Sequence, residues 1–131
     1  MRLLVTGNQG FIGPVLTTMA QAHGHQVTGL DIGYFEGCVT RPEAEARPGV
    51  QILRDMRDVT AADVEDVDGI IHLAGLSNDP MGALNPDLTY DINLHATLAL
   101  ARLAKAAGVG RFVFASSCSI YGAAGGAVDR A

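Results

Sequence analysis

The chain is 131 residues long, enough for one domain with a single sizeable core, and its 48% hydrophobic and 18% charged content excludes a disordered or fibrous class. Its net charge of −5 is scattered along the chain without a Lys/Arg cluster, which argues against a nucleic-acid partner. No apolar run reaches membrane-spanning length, the start Met1-Arg2-Leu3-Leu4-Val5-Thr6-Gly7 is too short for a signal peptide, and Cys38 and Cys118 make neither a CxxC nor a zinc-ligand pattern. The expectation is a cytoplasmic protein with reduced thiols, no metal and no membrane contact.

Taken in chain order, continuous apolar runs at residues 3–6, 26–30, 50–53, 69–73 and 112–115 predict strands buried on both faces. Helical segments are predicted between them at 11–22, more briefly at 61–67, and over a long stretch at 86–107 that Gly108 closes. In the long segment Ile92, Ala96, Ala99 and Leu103 fall along one helical face. Residues 33–49 read as a surface loop. Strands alternating with helices require parallel pairing through right-handed crossovers, so the expected fold is α/β, a Rossmann-type doubly wound parallel sheet of order 3-2-1-4-5. Residues 1–122 then form one dinucleotide-binding domain, and 123–131 a small-residue tail.

Gly7-Asn8-Gln9-Gly10-Phe11-Ile12-Gly13 follows the first predicted strand directly and opens the first helix. Three glycines in that context allow a tight turn, close backbone approach to a pyrophosphate, and a helix N-terminus facing the phosphates. Asp31 closes the second strand near the roughly 20-residue spacing at which an acid accepts hydrogen bonds from the adenosine ribose. A carboxylate there repels a 2′-phosphate and no Arg follows before Arg41, so NAD is favoured over NADP. Asp55, in Asp55-Met56-Arg57-Asp58 after the third strand, fits a turn or N-cap acid as well as an adenine contact.

His72-Leu73-Ala74-Gly75 ends the fourth strand, where small residues let backbone approach a ligand at the topological switch point. His72 itself reads as a packed core residue rather than a catalyst. Asn93, inside an apolar helix, needs partners for its amide and is expected to hold neighbouring backbone in place. Ser116-Ser117-Cys118-Ser119-Ile120-Tyr121-Gly122 brings hydroxyls to the same edge after the fifth strand. A Ser-His-Asp triad is not indicated, since there is no nucleophile elbow and no acid placed to orient His72.

In their order, TGNQGFIG, the acid at 31, DMRD, HLAG, the INLHAT helix and SSCSIYG resemble the extended short-chain dehydrogenases/reductases over nearly the whole chain. Within them the chain is most similar to the NAD-dependent epimerase/dehydratase family, the group that includes UDP-glucose 4-epimerase and the sugar-nucleotide 4,6-dehydratases. The resemblance implies that Gly7, Gly10, Phe11, Ile12 and Gly13 hold the NAD pyrophosphate, Asp31 the ribose, and Asp55 with Met56 the adenine. Leu73, Ala74, Gly75 and Asn93 line the nicotinamide side. It also implies that Ser117, four residues before Tyr121, is the catalytic hydroxyl that hydrogen-bonds the sugar oxygen being oxidised. The substrate implied is a nucleotide sugar. A homodimer through the counterpart of 86–107 follows by analogy.

One element of that family's pattern is missing. The family's base is the Tyr of a Tyr-x-x-x-Lys pair, but Tyr34, Tyr90 and Tyr121 are followed four residues on by Cys38, Leu94 and Gly125, and Lys105 is the only lysine. The expectation is an amino-terminal portion, truncated before the Tyr-x-x-x-Lys pair and the C-terminal substrate domain, that keeps its cofactor cleft but is inactive alone. Two other functions stay open on sequence grounds. One is an NAD(P)-dependent reductase or dehydrogenase of another small carbonyl compound; the other is a non-catalytic NAD-binding module.

Overall fold

A computed structural model describes residues 1–35, 38, 47–77, 79–117 and 120, with backbone alone at 79 and 81. Among them β1 (Arg2–Thr6), β2 (Gln26–Asp31), β3 (Val50–Leu53), β4 (Gly69–His72) and β5 (Arg111–Phe114) form one sheet of order β3-β2-β1-β4-β5. Every pairing is parallel, with Leu3 opposite Val27 on one side and Gly69 on the other. The predicted sheet order and strands are therefore those observed, to within a residue or two at each end. Much of the expected loop at 33–49 and all of the tail at 123–131 lie outside the described residues.

Side chains alternate across the sheet and build a core on each face. Leu3, Val5 and Val27 pack with Ala20 of α1 (Gly13–Ala22). Leu4, Leu30 and Ile70 point the other way, against Met56, Val64, Ala96, Leu100 and Ala104. The last two belong to α4 (Thr97–Ala106), whose predicted stop is formed: Gly108 is left-handed, and the Val109 amide donates to the Ala104 carbonyl at 2.9 Å. Burial on both faces holds for β1, β2 and β4 but not for β3 and β5. Those two are the sheet's edges here, and Val113 and Phe114 of β5 are each more than half exposed.

Two helical expectations are corrected. Residues 61–67 make only a 3₁₀ turn at Ala61–Asp63. The Asp63 carboxylate is taken up by the Thr60 amide and hydroxyl, each at 2.7 Å, and by Arg54, and Asp66 then adopts φ 61°, which ends any helix. The long segment expected at 86–107 is divided into α3 (Pro86–Tyr90), a π-helical turn at Asp91–Ala96, and α4, and a further helix, α2 (Asp79–Leu84), precedes it. The π turn adds a residue to its circuit and rotates the face that follows. Beyond that turn the fully buried positions are Ala96, Leu100 and Ala104, with Leu103 partly buried beside them and Ala99 facing solvent.

Leu100 has no exposed surface and joins α4 to β1 and β4. Leu100→Ala is expected to cost about 3 kcal/mol of unfolding free energy, measured as a lowered urea midpoint at unchanged m-value; a loss below about 1 kcal/mol would show that α4 is not anchored there.

Candidate functional site

The carboxyl ends of the central strands converge on one turn. As β1 ends, the Gly7 amide donates to the Leu30 carbonyl of β2 at 2.8 Å, and the Gly10 amide turns back to the Gly7 carbonyl at 3.1 Å. Gly7 has φ 70°, and a Cβ there would lie 2.6 Å from the Ala74 amide nitrogen, so no other residue fits. Gly13 opens α1 against the Asn8 backbone, where a Cβ would come within 2.2 Å of the Asn8 oxygen. Phe11 and Ile12 are exposed, at 99% and 59%.

Ile12 caps α1 without a side-chain hydrogen bond, and the first turn carries no acid. Pro14 in that turn has no N–H, so the helix presents the remaining first-turn N–H groups and the positive end of its dipole with no side chain of its own competing for them. Such an end, behind a turn that only glycine can make, fits a dinucleotide pyrophosphate.

Asp31 stands beside this turn. One carboxylate oxygen accepts from the Gln9 amide at 3.0 Å and the other from the Gly33 amide at 2.9 Å, tying the glycine turn to the loop after β2. Each oxygen retains a second lone pair for a hydroxyl donor. Asp55 takes the turn-acid role: it caps the 3₁₀ turn Met56–Asp58 and accepts from the Arg57 amide, Nε and Nη2 at 2.9, 3.0 and 2.6 Å. The Arg57 guanidinium holds the Asp55 carboxyl below the usual range. The Met56 side chain is buried in the core.

At the end of β4, His72 is the core residue the sequence suggests. Its Nδ1 lies 2.6 Å from Thr6 Oγ1 and its Nε2 2.8 Å from Thr97 Oγ1, and its ring contacts Phe112 and Phe114 of β5 at centroid distances of 6.1 and 5.7 Å. Burial lowers its pKa from 6.5 to about 4, so the ring is neutral. Thr6 also reaches the following segment: its carbonyl accepts from the Leu73 amide at 3.0 Å and its hydroxyl from the Ala74 amide at 3.4 Å.

Asn93, within the π turn, clasps Leu76: its Oδ1 accepts from the amide at 2.7 Å and its Nδ2 donates to the carbonyl at 2.8 Å. A Cβ on Gly75 would meet Asn93 Oδ1 at 3.1 Å. Asn93 thus holds backbone, as its position in an apolar helix suggested. The Ala115 amide donates to the His72 carbonyl at 3.0 Å, which carries Ser117 to the same edge, exposed. Cys118, Ser119 and Tyr121 lie outside the described residues.

The side-chain supports of this edge, Thr6, Thr97, Asn8 and Gln51, escape sequence reading because their partners are distant in the chain. Asn8 alone carried a signal, an amide inside a glycine turn. Among the described residues no group of three His, Cys, Asp or Glu could hold a metal ion, and no helix is long and apolar enough to cross a membrane. A hollow lined by Arg2, Gln26, Asp63 and Asp66 lies at the opposite, amino end of the strands, away from this site.

Sheet order, glycine turn and acid at the end of β2 together define a dinucleotide-binding Rossmann domain. The model of the NAD dependent epimerase/dehydratase family matches residues 3–130, and the chain belongs to that family. A UDP-glucose 4-epimerase of Neisseria meningitidis serogroup C is 33% identical over 128 residues, covering 92% of this chain and 38% of that protein. One from Klebsiella pneumoniae is 31% identical over 129 residues, covering 93% of both sequences. The solved UDP-glucose-4-epimerase of Stenotrophomonas maltophila, with bound NAD and formylated UDP-arabinopyranose, superimposes with a TM-score of 0.82 at 30% identity, over 93% of this chain and 38% of that one. The chain thus spans little more than a third of the length of the Neisseria and Stenotrophomonas proteins.

The buried neutral histidine makes stability depend on pH. Unfolded, His72 binds a proton near its ordinary pKa of 6.5; folded, it does so only near 4, so its contribution is complete above pH 6.5 and is lost as pH falls toward 4. The expected loss is roughly 3 kcal/mol at most, read from chemical denaturation at pH 7, 6, 5 and 4.5. His72→Gln should lower stability at pH 7 and flatten that slope. An equal slope in the variant would place the titrating group elsewhere.

Proposed function

We propose that this chain is the NAD-binding portion of a nucleotide-sugar epimerase or dehydratase. The observation that carries the reading is the uncapped N-terminus of α1 behind the Gly7–Gly13 turn, with Asp31 bonded to the Gln9 amide beside it. In this reading Gly7, Gly10, Phe11, Ile12 and Gly13 receive the pyrophosphate, and the remaining lone pairs of Asp31 receive the adenosine ribose hydroxyls. Asp55 and the Met56 main chain border the adenine. Leu73, Ala74, Gly75 and Asn93 form the wall on the nicotinamide side.

Bound NAD supplies a reversible hydride acceptor for a substrate hydroxyl carbon. Ser117 is the chain's own catalytic group, hydrogen-bonding the sugar oxygen as it becomes a carbonyl. Removing that hydroxyl's proton requires a base, and the 131 residues contain no Tyr-x-x-x-Lys pair. We expect these residues alone to bind NAD without turnover. The missing pair is also what favours a non-catalytic NAD-binding module, and Ser117 is what favours the enzyme. An open reading frame continuing into Tyr-x-x-x-Lys separates the two.

Calorimetric titration tests the cofactor assignment. NAD is expected to bind and NADP to bind far more weakly, with Asp31→Ala weakening NAD by at least about tenfold through loss of charge-assisted hydrogen bonds. Equal binding of NAD and NADP by the wild type would remove Asp31 from the ribose site.

A homodimer through the helix containing 86–107 is supported by its outward apolar face, where Tyr90, Leu94 and Leu98 are 63%, 44% and 43% exposed. Sedimentation equilibrium at micromolar concentration is expected to show a dimer that Leu94→Glu dissociates. A wild-type monomer across that range would overturn this pairing.

A further inference from the structure

The glycine turn is held by more than its main chain. Asn8, its second residue, is 4% exposed, and its side chain lies flat over β2. There Gly29 leaves room: a Cβ at Gly29 would fall 2.4 Å from Asn8 Nδ2 and 2.5 Å from Asn8 Cγ. Val5, Gly29 and Gln51 are neighbours across β1, β2 and β3 and share the face that α1 covers. Across the gap left by Gly29, Asn8 Nδ2 donates to Gln51 Oε1 at 2.7 Å and Gln51 Nε2 donates back to Asn8 Oδ1 at 3.2 Å. Gln51 Nε2 also donates to the Ile52 carbonyl at 3.2 Å, which fixes the amide on its own strand.

We infer that Asn8 and Gln51 form a positioning clasp for the dinucleotide, locking the pyrophosphate turn to the strand that leads to Asp55. The inference rests on the NAD-binding reading above. The Asn8 backbone is the surface against which Gly13 packs, so fixing Asn8 fixes the first residue of α1. Its side chain fixes the same point to β3, two residues before the chain leaves that strand toward Asp55. The clasp therefore sets the separation between the two segments assigned to the pyrophosphate and to the adenine. A ligand that spans both benefits from a separation set before it arrives, because no ordering of the turn is then charged against its binding.

The pair is a matched set. A larger residue at 29 would displace the Asn8 side chain, and a smaller one at 8 would leave the turn held only by the main-chain bonds of Gly7 and Gly10 and by Asp31. Asn8 is the buried member of the pair and Gln51 the exposed one, so losing Gln51 leaves the Asn8 amide short of the partner that fixes it, while an unpaired Gln51 amide is met by water.

The test is a double-mutant cycle read by NAD affinity, with the 131-residue chain and calorimetry below its unfolding temperature. Asn8→Ala and Gln51→Ala are each expected to weaken NAD about tenfold, and the double variant no further than either single one. Gln51→Glu keeps the acceptor for Asn8 Nδ2 but loses the return donor to Asn8 Oδ1, so it should recover only part of the affinity lost in Gln51→Ala, a graded response that a general loss of stability would not produce. Gln51 lies on an exposed edge strand, so its variants decide the matter even if Asn8→Ala fails to fold. Wild-type affinity in the Gln51 variants, or single losses that multiply in the double, overturns the clasp and leaves the cofactor reading standing. A wild-type chain that binds no NAD overturns both.

Discussion

The end of β1 is the point on which the rest of the structure depends. There Gly7 donates to β2 through the Leu30 carbonyl, and Thr6 accepts from the segment after β4 through the Leu73 amide. A chain leaving a central parallel strand at this point must turn within van der Waals reach of its neighbour's backbone, and Gly7 does so against Ala74. Any side chain at 7 would push apart the two strand ends whose separation makes the crevice. The glycine is thus as much a requirement of sheet closure as of ligand approach.

Side chains then stiffen the crevice from both sides of β1. Toward β4, Thr6 and Thr97 hold His72, whose ring contacts two phenylalanines of β5. A histidine so enclosed is kept neutral by burial and serves as a two-ended hydrogen-bonding spacer that joins β1 and β4 to α4. Toward β2 and β3, Asp31 gathers the Gln9 and Gly33 amides, and the Asn8–Gln51 amides close the far side. Beyond β4 the π turn brings the Asn93 amide onto both polar groups of Leu76. A wide turn of this kind leaves helical bonding irregular, and the structure places it where irregularity lets a side chain reach a loop at the crevice.

The acids of similar sequence context have different physical duties. Asp31 and Asp55 both follow strands at the same sheet edge, yet Asp31 is bonded only through backbone amides while Asp55 is engaged by its neighbour's guanidinium. A carboxylate neutralised by arginine two residues away has less to offer a ligand hydroxyl than one bonded to main-chain donors. Asp63 is turned inward to its own 3₁₀ turn and to Arg54. Proximity to a strand end does not by itself distinguish these acids; the donors that reach them do.

The strands, their parallel order, the glycine turn and the acid ending β2 were all legible in the amino-acid sequence. Each rests on a local rule: continuous apolar runs for buried strands, glycine where backbone crowds, and alternation with helices for crossovers. His72 as a core residue and Asn93 as a backbone clamp were also readable, because a polar group in an apolar run must find a partner, whereas for Asp55 a turn acid was one of two readings the sequence left open. What only the tertiary structure decided depends on residues far apart in the chain. It exposed β3 and β5 as edges, broke the long helix with a π turn and left Ala99 outside the buried stripe, and replaced a helix at 61–67 with a 3₁₀ turn stopped by Asp66. It also paired Asn8 with Gln51 across Gly29, a contact no local pattern encodes, since three strands must first lie in register for the space above a glycine to be shared.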